Sequence, residues 1–127
     1  MRPKLLAYGH IGNCPVFGLP GNPVSSMVAF DVFVRPALLK MSGVNDPVLS
    51  TVTGVLEGDV SHKKGRREFI RAVTLWSEDS YRATPTGDQG SARMSSMLGA
   101  NSYIVVPEDC GGMSSGETVS ILLWECW

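Results

Sequence analysis

The segment Gly18-Leu19-Pro20-Gly21-Asn22-Pro23-Val24-Ser25 carries the sharpest chemical signal in this 127-residue chain. An apolar run stops at a rigid turn and a helix N-terminus follows at once. Free backbone N–H groups and the positive end of the helix dipole then face one spot, which suits an anion such as phosphate. Gly21 lets a ligand approach the backbone closely, and Pro20 and Pro23 stiffen the turn. The same residues also read as an ordinary strand-to-helix turn, because Asn22 is a favoured N-cap and Pro23 fits the first helical position.

A second group lies downstream. Arg67, Phe69 and Arg71 fall on one face of a strand by period two, with Glu68 and Ile70 on the other. Two arginines flanking an aromatic ring could grip an anion or a planar group, or could sit at a solvated strand end. Lys63, Lys64, Arg66 and Arg67 are four of the eleven basic residues. They form either a solvated hairpin tip or an electrostatic funnel toward an anionic substrate. Ser91 and Ser95 share one face of a short helix, where Ser91 serves as N-cap or ligand contact. The carboxylates Asp31, Asp46, Asp59, Asp79 and Asp88 are scattered, and Mg²⁺-assisted phosphoanhydride chemistry needs them clustered. Cys14, Cys110 and Cys126, with His10 and His62, form no set with zinc-ligand spacing. The thiols read as buried or idle groups of a reducing compartment.

The elements that must hold these residues fall into two parts. Leu5–Tyr8 and Pro15–Leu19 read as short strands, and a helix is expected from Pro23 to about Met41. Pro36 removes one of its hydrogen bonds and kinks or restarts it. The apolar residues Val24, Met27, Val28, Phe30, Val32, Phe33 and Val34 cover most of the circumference of that helix. It therefore needs burial on more than one side, and an uncovered patch would favour self-association. Beyond Ser42–Pro47 the pattern changes to period two. Strands are expected at Val48–Leu56, Glu68–Trp76, Tyr81–Pro85, Tyr103–Val106 and Glu117–Trp124, with a short helix at Ser91–Leu98. A hairpin should turn at Glu78-Asp79-Ser80. The fold class is mostly β: a small barrel or sandwich, preceded by a strand-strand-helix unit that belongs on a larger α/β sheet. The chain reads as the C-terminal end of a longer protein.

Composition narrows the function. Charged residues are 18% of the chain, hydrophobic residues 43%, and the net charge is −1. That excludes a disordered charged tail and argues against a nucleic-acid partner, which would leave a basic excess. No apolar run approaches the ~20 residues of a membrane span, and the start leads into no secretory segment, so a cytoplasmic location is expected.

Gly18-Leu19-Pro20-Gly21-Asn22-Pro23-Val24-Ser25, followed by Phe33-Val34-Arg35-Pro36-Ala37-Leu38, resembles the molybdopterin molybdenumtransferase family, related to the E domain of gephyrin. Arg67-Glu68-Phe69-Ile70-Arg71 resembles the family's R-x-aromatic-x-R. Thr86-Gly87-Asp88-Gln89-Gly90-Ser91, then Ser96, Ala100-Asn101 and Val106-Pro107-Glu108, resembles its T-G-x-Q-G-S…S…A-N…L-P-E. Met1-Arg2-Pro3-Lys4 resembles the basic segment ahead of the hairpin. It departs from basic-P-G-K-P by one glycine, and Leu5 stands where proline is common.

The resemblance implies that residues 1–45 end a catalytic α/β domain and residues 46–127 form a C-terminal β-barrel-like domain. It implies a homodimeric enzyme that inserts molybdate into adenylyl-molybdopterin with Mg²⁺, releasing molybdenum cofactor and AMP. The matching positions would bind substrate: Pro20, Gly21, Asn22, Pro23, Arg2, Lys4, Arg71 and Ser91. The chain alone, lacking clustered carboxylates, would be inactive and would bind no cofactor. The alternative is an interaction module, because in gephyrin-like proteins the same region also serves as a docking scaffold.

Overall fold

The computed structural model describes residues 6–89 and 94–124. Arg2, Lys4 and Ser91 lie outside them. The chain divides into two compact units, Met1–Val48 and Leu49–Trp127.

The first unit opens with an antiparallel hairpin, β1 (Ala7–Ile11) and β2 (Cys14–Gly18), in register from Ala7↔Gly18 to Ile11↔Cys14. Gly12, with φ +59°, lets two residues close the turn. The helical stretch from Pro23 to Met41 is not uniform. α1 (Pro23–Ala29) passes into a π turn at Phe30–Val34, then α2 (Arg35–Met41). Pro36 accounts for the interruption. In an α-helix its ring would collide with the carbonyl of residue 32. Arg35 N–H instead reaches back five residues to Phe30 O, which widens the helix just ahead of the proline. Phe33, Leu38 and Met41 are exposed.

The second unit is a closed five-stranded barrel in the order β3 (Thr51–Leu56), β6 (Ser80–Pro85), β5 (Glu68–Ser77), β7 (Ser102–Val106), β9 (Thr118–Leu123). The β3–β6 pair is parallel, and the other four are antiparallel. Period-two alternation sends Leu56, Ile70, Ala72, Ala83, Ile104, Val106, Val119 and Ile121 into one core. A two-stranded ribbon, β4 (Val60–Ser61) with β8 (Gly112–Met113), adds Val60 and Met113 to that core. The expected hairpin at Glu78-Asp79 is present, with Ser77 opposite Ser80. Both turn residues have positive φ (51° and 64°), which matches the twist of the flanking strands.

Two expectations need correction. The Lys63–Arg67 loop is not a hairpin tip, because β3 pairs with β6 and β9, and β4 pairs with β8. The segment expected as a helix over Ser91–Leu98 is, in its described part, a 3₁₀ turn at Met94–Met97. Among the described residues no helix is long and apolar enough to cross a membrane.

Candidate functional site

Arg71 is the chemically unusual residue of the barrel. Strand alternation puts Ile70 in the core and Arg71 on the outer face, where a charged side chain would ordinarily meet water. It is instead 5% exposed. On one edge of β5 it stands opposite Tyr103 of β7. On the other edge β6 ends at Pro85, opposite Ala72, so no strand continues beside Arg71.

Side chains of the next segment take over that role. The Gln89 carboxamide accepts the Arg71 N–H through Oε1 at 3.0 Å and donates from Nε2 to Arg71 O at 3.0 Å. Thr86 N–H donates to the same carbonyl at 2.8 Å. The Thr86 hydroxyl lies 3.1 Å from that oxygen and 2.8 Å from Ser96 O. Gln89 Nε2 also bonds Thr86 O, which ties the loop to itself.

The guanidinium is only partly satisfied. Its Nε donates to Ser96 Oγ at 3.1 Å, whereas Nη2 is buried and has no acceptor among the described residues. Desolvation pushes the Arg71 pKa below the usual arginine value. Tyr103, Glu68 and Asp88 act in the opposite direction. Burial leaves this arginine charged at neutral pH, because the guanidinium is a very strong base. The result is a desolvated cation with a spare donor, which suits an acceptor-only anion.

The other predicted residues fall as follows. In the Pro20–Pro23 turn, Asn22 Oδ1 accepts from Val24 N–H at 3.1 Å and Ser25 N–H at 3.3 Å. The first-turn donors that could have held an anion are thus already engaged by the cap. Ser26 Oγ bonds Pro20 O and closes the turn from the helix side. A Cβ on Gly21 would meet nothing within 4 Å, so the glycine keeps one face of the turn open. This turn belongs to the first unit and Arg71 to the second.

Arg67 precedes β5 and is exposed, and Phe69 is half-buried with its ring edge-on to Tyr103 at 6.3 Å. The pair of arginines is therefore split between solvent and interior. The basic loop is anchored at its base: Gly65 N–H donates to Glu108 O at 2.7 Å, and His62 Nδ1–H donates to Cys110 O at 2.9 Å. Thr86, Gln89 and Ser96, which surround Arg71, were visible in the sequence only as letters of the T-G-x-Q-G-S…S pattern. No periodicity or charge pattern marked them.

Residues 53–124 match the family model described as MoeA C-terminal region (domain IV). A molybdopterin molybdenumtransferase of Bacillus subtilis is 32% identical over 124 residues, which is 97% of this chain and 29% of that protein. A gephyrin of Dictyostelium discoideum is 34% identical over 116 residues, 85% of this chain and 16% of that one. The crystal structure of a molybdopterin biosynthesis moeA protein from Pyrococcus horikoshii superimposes with a TM-score of 0.72 at 34% identity, covering 92% of this chain and 29% of that one. The chain thus spans less than a third of the length of these relatives. With a family match over more than half of its residues, the chain belongs to the MoeA family, and the matched part is the C-terminal region, domain IV.

Proposed function

We propose that this chain is the C-terminal part of an enzyme that inserts molybdate into adenylyl-molybdopterin, giving molybdenum cofactor and AMP, and that Arg71 holds an oxyanion of that reaction. One observation carries the reading. Arg71 Nη2 is buried without an acceptor among the described residues, and a charged donor left so costs several kcal/mol unless an anion completes it. Molybdate is a tetrahedral dianion with acceptor oxygens only, and the planar guanidinium presents donors to such a group in a fixed fork. Molybdopterin molybdenumtransferase relatives at about 30% identity support the same substrate class.

The remaining features belong to the same proposal. Residues 1–45 end the catalytic α/β domain, Arg2, Lys4 and Ser91 add substrate contacts, and the whole enzyme is a cytoplasmic homodimer. The described residues do not fit the Mg²⁺ implied by the resemblance, since no three His, Cys, Asp or Glu side chains among them gather as ligands.

Calorimetric titration of the chain with molybdate, and with tungstate as its redox-inert analogue, tests the role of Arg71. Saturable binding that falls at least ten-fold in Arg71→Met is the expected result. Unchanged affinity in that variant would overturn it. AMP release from adenylyl-molybdopterin by the isolated 127 residues would overturn the dependence on a larger enzyme.

A further inference from the structure

Two side-chain carboxamides complete β5 in the same way at two positions. Asn101 accepts Thr74 N–H through Oδ1 at 2.7 Å and donates from Nδ2 to Thr74 O at 2.9 Å. It does so just past Ser102, where β7 stops pairing with β5. Gln89 makes the same two-point bond to Arg71 just past Pro85, where β6 stops. Each amide replaces the peptide of a missing neighbouring strand. The difference lies in what the clamped residue carries. Thr74 closes its hydroxyl against Ser102 Oγ at 2.8 Å, whereas Arg71 carries the guanidinium with the spare donor.

We propose that Gln89 is a positioning residue for the Arg71 guanidinium: its carboxamide fixes the Arg71 peptide, and with it the direction in which Nε and Nη2 point. The inference rests on the reading of Arg71 as an anion-binding residue and adds the group that aims it. Two N–H donors converge on the Arg71 carbonyl, Thr86 N–H and Gln89 Nε2, and the Thr86 hydroxyl lies beside it, closer to Ser96 O. The Arg71 N–H, however, goes to Gln89. Without Gln89 that N–H has lost its acceptor, and the strand edge is free to twist at the residue whose side chain must meet Ser96. Hydrogen-bond geometry weakens steeply with angle, so a small rotation at the Cα is felt at the guanidinium.

Asn101→Ala supplies the matched control, since it removes an equivalent clamp from the same strand without touching Arg71. Three quantities are measured on the full 127-residue chain carrying Gln89→Met, Asn101→Ala or Arg71→Met. They are urea stability, tungstate affinity, and the ¹⁵N–¹H signal and hydrogen exchange of Arg71 Nε–H. The expected result is comparable destabilisation by Gln89→Met and Asn101→Ala. Of these two, only Gln89→Met should lower tungstate affinity, by about ten-fold, the lower end of what outer-shell partners cost a bound ion. Only Gln89→Met should speed exchange at Arg71 Nε–H. No added loss is expected when Gln89→Met is combined with Arg71→Met.

Equal losses of affinity in Gln89→Met and Asn101→Ala would show a purely structural role and overturn the inference. So would unchanged Nε–H exchange in Gln89→Met. If Arg71→Met abolishes binding while Gln89→Met leaves it intact, Arg71 stands and Gln89 falls. If Arg71→Met binds like the unmodified chain, the anion reading falls by itself, and the Nε–H measurement still decides whether Gln89 aims the guanidinium. Should Gln89→Met fail to fold, Gln89→Glu, which keeps the acceptor for Arg71 N–H and loses only the donor, should leave Arg71 Nε–H exchange unchanged, and faster exchange there would overturn the role given to that acceptor.

Discussion

Gly54 and Tyr81 run so close together that a Cβ at residue 54 would stand 2.6 Å from the Tyr81 carbonyl oxygen. The same atom would lie 2.6 Å from Ile121 Cδ1 inside the barrel. This is where parallel strands β3 and β6 meet and the barrel closes, with Gly54 opposite Tyr81. The glycine is needed for space, since its φ is not among the positive ones.

Gly54→Ala should therefore destabilise the barrel by at least about 1–3 kcal/mol, the range for overpacking a well-filled core. A urea midpoint lowered at constant slope is the expected signature. An unchanged midpoint would mean that the β3–β6 seam can open without cost.

Asn101→Ala leaves the Thr74 N–H and C=O without their partners next to the buried hydroxyl pair of Thr74 and Ser102. The expected loss is about 1–3 kcal/mol, the desolvation cost of an orphaned buried group. Amide exchange at Thr74 should speed up while that at Ile104, in the middle of β7, follows only global unfolding. Equal acceleration at both would assign the effect to the whole barrel.

These contacts show what could be read from sequence. The Glu78-Asp79 hairpin and the Asn22 cap were legible because turn, cap and partner lie within a few residues of one another. The parallel β3–β6 pair was not, since partners 27 residues apart, such as Gly54 and Tyr81, leave no local mark on either segment. Arg71 shows the same limit in the site. That it shares a strand face with Phe69 followed from alternation, but its guanidinium bonds Ser96, 25 residues away, and its backbone Gln89, 18 residues away. The basic loop was legible as charge, while its anchorage on Glu108 and Cys110 was not.

Ser96 and Arg71 should respond to substitution in opposite ways. Ser96→Ala strands Arg71 Nε–H in the interior and should cost about 1–3 kcal/mol. Arg71→Met removes the desolvated charge and fills similar volume, so stability should stay within about 1 kcal/mol of the unmodified chain or rise. The pH dependence follows from the lowered Arg71 pKa. Between its folded value and its higher unfolded value, the unfolded chain binds more protons, so stability rises with pH there. Below that window arginine is charged in both states, and the burial penalty is constant. The stability difference between the unmodified chain and Arg71→Met should thus be flat from roughly pH 5 to 9. A slope in that interval would show that Arg71 burial is coupled to another titrating group.

Pro36 gives the last prediction. A proline in the middle of an α-helix costs about 3 kcal/mol relative to alanine. Here the π turn at Phe30–Val34 has already widened the helix, and Pro36 sits at the start of α2, where its missing N–H is tolerated. Pro36→Ala should therefore change stability by less than about 1 kcal/mol, far below the mid-helix figure. The alanine supplies an N–H at residue 36, and the π turn then has no steric cause to persist. Hydrogen exchange should show a new protected amide at residue 36. A gain near 3 kcal/mol would mean that the proline strains the helix and that the π turn relieves little of it.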